Sequence, residues 1–259
     1  MAGSVRSMLR IALRGSSWSR FFAYASPALF DVIPARDLIS QSRELLSNRR
    51  DAESFNQVRE KIGGLLQRSE LDVELTDGPR APGETGLADL PESNRQQAGQ
   101  RILEIYFMQV FASPEALLDL RGEKFTRSEQ GGLRWRPGAL YVHWEPEFLQ
   151  GVRSLYTGFY LDDEAQFEVA LRLLQIEGSG GLLRNLLGQD DPRRARFSTK
   201  TFHTNFHELF VSFRDRGLAI HRNFLPLGVC LMSLYDSLDA LGVELDVFDA
   251  VVQARIFAA

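Results

Sequence analysis

Apolar residues recur every three to four positions along most of this chain, and that spacing places them on one face of an α-helix. The pattern runs through two segments between residues 34 and 71, resumes at residue 94 and ends near Ser113-Pro114. It then continues nearly to residue 259, and the predicted helices there cover 147–160, 163–175, 198–216, 222–241 and 246–257. A fold built mainly from packed helices is therefore expected.

Between residues 116 and 144 the pattern changes to short alternating or apolar runs. The glycine pair Gly131-Gly132 separates "ALLDLRGEKF" from "LRWRP" and "ALYVHW", and runs of this length between turn residues are typical of strands. We expect two to four short strands here and no other β-structure. The predicted fold class is mainly α: a multi-helix orthogonal bundle with a small antiparallel β hairpin or sheet inserted around 116–144.

Composition divides the chain into four parts. Residues 72–93 contain three prolines and three glycines without sustained periodicity, which is typical of a linker or a long loop. They separate a predicted helical hairpin at 31–71 from a main helical domain at 94–259 that carries the β insertion. Residues 1–30 form a separate basic segment.

The basic segment contains four arginines and no acidic residue, so it carries +4, and the remainder of a chain of net charge −4 carries −8. Its arginines gather on one side of a helical wheel, and aromatic residues follow them. Three interpretations remain open: a mitochondrial transit peptide, an anchor on an anionic membrane surface, or a helix that packs on its own domain. The residues expected to face a membrane or a partner are Arg6, Arg10, Arg14, Trp18, Arg20, Phe21 and Phe22.

Overall composition indicates a soluble or membrane-peripheral globular protein. The chain has 259 residues, of which 44% are hydrophobic and 25% charged, and no run of consecutive apolar residues is long enough to cross a bilayer. A negative net charge argues against a nucleic-acid partner. The single cysteine, Cys230, excludes an intramolecular disulfide and a cysteine-based zinc site, and it fits a reducing cytoplasmic compartment.

The segment "HTNFHELF" places His203 and His207 four residues apart, on one face of a predicted helix and within reach of a single metal ion. His143 or Glu145 of "YVHWEPEF" would supply a third ligand, with Glu147 of the same segment and His221 as further candidates. The zinc-protease pattern is not met, because Thr204 stands where a glutamate is needed. The alternative interpretation makes both histidines residues at the edge of the helix core.

Signatures of catalysis are missing from the sequence. Cys230 lies in the apolar run "PLGVCLMSLY", where a thiol would be buried and unreactive. The run "GSGG" at 178–181 has neither the dinucleotide-binding nor the phosphate-loop pattern. Glu145 and Glu147 flank Pro146 at a predicted helix start, where acids compensate the helix dipole. We therefore expect no cofactor, with a divalent metal ion as the alternative.

One family resemblance covers residues 99–247. The segments "GQRILEIYFMQVFASPEALLDLRGEKF", "GALYVHWEPEFLQGVRSLYTGFYLDDEAQFEVALRLLQI" and "FRDRGLAIHRNFLPLGVCLMSLYDSLDALGVELDV" resemble the C-terminal half of UbiB/AarF-type atypical kinases in order and pattern. Asp119 alone corresponds to that family's catalytic loop, "HWE" replaces the metal-binding motif, and the lysine-bearing motifs are missing from residues 1–93. The resemblance implies a pseudoenzyme or a reused helical lobe, remotely associated with quinone or lipid metabolism.

These observations favour a non-enzymatic interaction, scaffold or accessory protein that acts with a protein partner, peripheral to a membrane if residues 1–30 anchor it. One alternative is a metal-binding helical protein or metal-dependent enzyme centred on His203 and His207. A further alternative is a degenerate UbiB-like pseudokinase.

Overall fold

The computed structural model describes residues 28–48, 50–188 and 193–259. It is 62% helical, with ten helices and small sheets of two to four strands in the described residues, which confirms the mainly-α fold class with small β insertions. The helices are α1 Leu29–Val32, α2 Ala35–Asn48, α3 Ala52–Arg68, α4 Glu92–Ala112, α5 Pro146–Tyr160, α6 Glu164–Leu173, α7 Gly180–Leu187, α8 Thr199–Asp215, α9 Phe224–Leu241 and α10 Val247–Ala258. The strands are β1 Val73–Leu75, β2 Thr85–Gly86, β3 Glu115–Leu117, β4 Phe125–Arg127, β5 Leu133–Trp135, β6 Tyr141–His143, β7 Arg194–Arg196 and β8 Glu244–Asp246.

Local capping residues set the helix boundaries close to where the sequence predicts them. The Ser198 hydroxyl accepts from Thr201 N at the start of α8, and the Asp163 carboxylate accepts from Gln166 N at the start of α6. Each side chain satisfies a backbone N–H that has no partner within its helix. Gly188 closes α7 with φ 95°, a left-handed conformation that favours glycine.

The strands form three small sheets. A four-stranded sheet has the order β1-β5-β4-β2, with β1 parallel to β5 and the other pairs antiparallel. Strands β3 and β6 form an antiparallel pair. The insertion predicted around 116–144 thus holds β3 to β6, and Gly131, with φ 102°, lies in the turn between β4 and β5.

The expectation of no other β-structure is wrong. Strands β1 and β2 come from residues 72–93, which were predicted to be a linker or long loop, and β7 pairs with β8 near the end of the chain. Each of these strands has only two or three residues. Such a run is too short to show alternation, so the sequence pattern carries no signal for it.

One hydrophobic core connects the helices. Buried residues of α3, among them Val58 and Ile62, belong to the same apolar cluster as Ile102 of α4 and Val251 of α10. Helix α4 packs against α9 and α10, and α5 packs against α6. Residues 31–71 and 94–259 therefore share a core. The segment predicted to be a basic helix, including Arg6 to Phe22, lies outside the described residues.

Helix α9 is the one helix of the described ranges that is long and apolar enough to cross a membrane. From the sequence, no apolar run long enough to cross a bilayer is expected. Helix α9 was missed by that criterion because Ser, Asp and Pro residues interrupt its apolar residues. Of its 18 residues, 61% are buried inside the protein. The core helix of a soluble protein meets the same criterion.

A buried carboxylate fastens the 76–90 segment to the four-stranded sheet. Glu84 accepts hydrogen bonds from the Thr126 hydroxyl at 2.6 Å and from the Arg134 and Arg136 guanidinium groups at 2.7 Å each. Burial favours the neutral acid, but these bonds outweigh burial and lower the pKa of Glu84 from 4.5 to about 2. The carboxylate therefore stays ionised in all but strongly acidic solution.

This arrangement predicts a specific loss of stability in acid. Because the folded-state pKa of Glu84 lies below its ordinary value, its charge stabilises the fold above pH 4.5, and this contribution disappears as the pH falls towards about 2. The variant Glu84→Gln should be less stable than wild type at neutral pH, and urea titrations should show that difference shrinking over this acid range. Glu74→Gln, which removes an exposed partner of the same Arg134, is the control. Parallel pH curves for wild type and Glu84→Gln would contradict the prediction.

Candidate functional site

A cavity of about 200 Å³ lies among α4, α5, α7, α8 and α9, next to β7. Its wall is mainly apolar and aromatic, and it includes Phe107, Leu155, Phe202, Leu209 and Leu231. Protein interiors are packed so closely that voids much larger than a water molecule are few. Because five helices surround this space with a mainly apolar wall, it is the strongest candidate for a functional site.

The aromatic stripe of α8 forms one wall of the cavity. Phe202 stacks on Phe206 with ring centroids 4.8 Å apart, and it contacts Tyr235 of α9 at 4.4 Å. Phe206 lies close to α9 at Gly228, where a Cβ would be 3.3 Å from the phenylalanine ring. Large rigid rings at helical spacing thus hold α8 against α9.

Four tyrosines on three helices bring phenol groups to the cavity: Tyr106, Tyr156, Tyr160 and Tyr235. The hydroxyls of Tyr106 and Tyr156 are hydrogen-bonded to each other at 2.6 Å, and Tyr160 donates to the Leu187 carbonyl at 3.4 Å. Burial raises the pKa of all four phenols, that of Tyr235 to about 12. They are therefore neutral hydrogen-bonding groups near pH 7.

The polar side of the cavity faces solvent. Asn185 at the end of α7, Arg196 of β7 and Thr201 of α8 are exposed residues of its lining. Among the described residues around the cavity, Arg196 is the only one with a charged side chain. The interior thus offers apolar surface and phenols, and its charge is confined to the exposed side.

The histidine pair of α8 has the predicted geometry within its own helix. The rings of His203 and His207 are nearly parallel, with centroids 6.4 Å apart, and both residues are half-buried. They follow Phe202 and Phe206 in the sequence, so they flank the cavity wall without lining it. This position agrees with the interpretation of the histidines as core-edge residues.

The other two predicted metal ligands have partners of their own. His143 Nδ1 lies 3.1 Å from the buried Glu115 carboxylate, and Glu145 accepts from Arg222 Nε at 2.6 Å. Across the described ranges, no three His, Cys, Asp or Glu side chains lie together in a way that could hold a metal ion. The structure therefore does not gather His203, His207, His143 and Glu145 into one site.

Glu145 instead forms a cluster with His221, the residue named above only as a further candidate ligand. His221 Nε2 lies 3.0 Å from the Glu145 carboxylate, while its Nδ1 accepts from Asn223 N at 3.2 Å. Burial raises the pKa of Glu145, but the bonds to Arg222 and His221 outweigh it and the pKa is lowered. Both imidazole nitrogens have protein partners, so the cluster joins the start of α5 to the start of α9.

Asp119, the one residue that corresponds to a kinase catalytic loop, is fully buried. Its carboxylate accepts from Arg121 Nε at 2.6 Å and from Gly138 N at 3.0 Å. Cys230 is also buried, as expected, and burial raises the pKa of its thiol to about 12. Neither side chain is placed to meet a substrate from solution.

Sequence reasoning missed the cavity and its phenols. The available signal was that four of the six tyrosines fall on apolar helix faces, where a phenol hydroxyl needs a partner.

No protein-family model matches this chain, and no curated protein is significantly similar to it.

Proposed function

We propose that this chain is a non-enzymatic accessory protein that binds a small apolar molecule in the cavity among α4, α5, α7, α8 and α9. The observation that carries the proposal is the size and lining of that cavity, about 200 Å³ of mainly apolar and aromatic wall. An engineered cavity of about 150 Å³ with a similar lining binds benzene.

Energetics support an occupant. The apolar wall of the cavity keeps accessible surface, and removing such surface from water is favourable by about 25 cal/mol per Å². A ligand that fills the space restores the missing dispersion contacts.

The lining supports binding without chemistry. Among the described residues that form it, there is no Asp, Glu, His, Lys or Cys, the side chains that most often act as general acids, bases or nucleophiles. The phenols are held neutral by burial. The cavity can enclose, orient and hydrogen-bond a molecule.

Ethylbenzene is a suitable probe, since its ring and short chain match the apolar wall. At a free concentration ten times its Kd it should stabilise the wild-type protein by about 1.4 kcal/mol, seen as a rise in Tm, and saturation-transfer NMR should detect contact with the protein.

Two variants fill the cavity from different walls. Leu231→Trp and Ala195→Leu add side-chain volume at lining positions of α9 and β7, so each should weaken ethylbenzene binding at least tenfold. The control is Met232→Phe, the next residue of α9, which is half-buried and outside the lining. The proposed function would be refuted if ethylbenzene did not bind to wild type, or if both filling variants bound it as tightly as wild type does.

A further inference from the structure

We infer that the molecule bound in the cavity carries a neutral carbonyl-type oxygen, which accepts a hydrogen bond from the phenol of Tyr235. The inference rests on the proposed function and adds the chemical class of the ligand. It is carried by two sets of phenol groups in the lining of the same cavity, Tyr235 and the pair formed by Tyr106 and Tyr156.

Tyr235 is the clearest donor. Its ring is held by Phe202 at 4.4 Å and Phe197 at 4.9 Å between centroids, so the phenol has a defined direction. The side chain keeps accessible surface although protein surrounds it closely enough to raise its pKa to about 12. The residue also lines the cavity. Within the described part of the chain, no hydrogen bond involves its hydroxyl.

The pair formed by Tyr106 and Tyr156 offers a second proton. Two phenols joined by one hydrogen bond of 2.6 Å use one of their two O–H groups, and the other O–H has no acceptor among the described residues. Both side chains are at least nine-tenths buried. Leaving a buried hydroxyl proton without an acceptor is unfavourable, so this pair also favours a ligand that accepts hydrogen bonds.

The acceptor is expected to be neutral. An anionic carboxylate in this interior would lose its hydration without a cation to replace it, because Arg196, the only charged residue of the described lining, is exposed. A ketone, aldehyde or ester oxygen accepts two hydrogen bonds and is far less strongly hydrated than a carboxylate. Such a group on a small ring or short chain matches both the phenols and the apolar wall.

A matched pair of probes tests the inference. Acetophenone and ethylbenzene have nearly the same shape and differ by a carbonyl in place of a methylene, and benzoate is the anionic counterpart. Titration calorimetry or NMR gives the Kd of each for three proteins: wild type, Tyr235→Phe, and the control Tyr141→Phe, which removes a phenol outside the cavity lining.

We expect wild type to bind acetophenone about 3- to 10-fold more tightly than ethylbenzene, the usual net worth of one hydrogen bond. Tyr235→Phe should weaken acetophenone binding and so remove this preference, while Tyr141→Phe should keep it. If ethylbenzene binds to wild type, the proposed function stands. The inference then fails if the ketone has no advantage, if the advantage survives in Tyr235→Phe, or if benzoate binds most tightly. If ethylbenzene does not bind to wild type, both fail.

Discussion

Replacing Gly158 with alanine is expected to lower the free energy of unfolding by about 3 kcal/mol, at the upper end of the range for one extra group in a packed core. A Cβ at position 158 would lie 2.4 Å from the backbone nitrogen of Phe167 and 2.6 Å from its Cα. These are backbone atoms of α6, which cannot move aside as the end of a flexible side chain can. The methyl group would therefore force α5 and α6 apart.

Urea unfolding measures this change directly. Gly181→Ala is the matched control, because a Cβ there meets no atom within 4 Å and alanine is the better helix former by about 1 kcal/mol. The two variants should differ in sign: Gly158→Ala destabilising, and Gly181→Ala neutral or stabilising. A Gly158→Ala protein that unfolds at the wild-type urea concentration would show that α5 and α6 separate without strain.

The variant Arg121→Met should lower the free energy of unfolding by about 3–5 kcal/mol, the usual result of leaving one buried charge without its partner. Asp119 is 0% exposed and Arg121 is 3% exposed. Two guanidinium nitrogens of Arg121 lie 2.6 and 2.8 Å from the carboxylate oxygens. Methionine fills similar space but donates no hydrogen bond, so the carboxylate loses its hydrogen-bonded cation and keeps only Lys124 Nζ, 4.0 Å away.

The surface pair of Arg214 and Asp215 gives the comparison, with side chains 48% and 62% exposed. Arg214→Met should change stability by less than about 1 kcal/mol. The double variant Asp119→Leu with Arg121→Met should recover part of the loss, because it removes both buried charges together. An Arg121→Met effect no larger than that of the surface control would show that the buried pair contributes nothing to stability.

The helices could be predicted because their determinants are local. Ser198 lies next to the helix that it caps, and the φ of Gly188 depends on its own missing side chain. Strand β1 depends instead on residues 133–135, and β7 on residues 244–246. The two strands of each pair lie far apart in the sequence. A local sequence pattern therefore could not predict either pairing.

The candidate site was harder to predict for a related reason. Each cavity tyrosine is indistinguishable in sequence from an ordinary member of an apolar stripe, and the cavity is a small difference between the volume enclosed by five helices and the volume that their side chains fill. The spacing of His203 and His207 predicted a shared helix face, and their parallel rings agree with it. It could not show that Glu145 would face Arg222 and His221.

The pairing of β7 with β8 has a consequence for the order of events during protein synthesis. Strand β7 contributes Ala195 and Arg196 to the cavity, and its only partner in the described residues is residues 244–246. While the ribosome still covers residues 244–246, strand β7 has no hydrogen-bonded strand partner to hold it in the cavity wall. A nascent chain can thus pack α5 against α6 early, but it completes the cavity only after β8 has emerged from the exit tunnel.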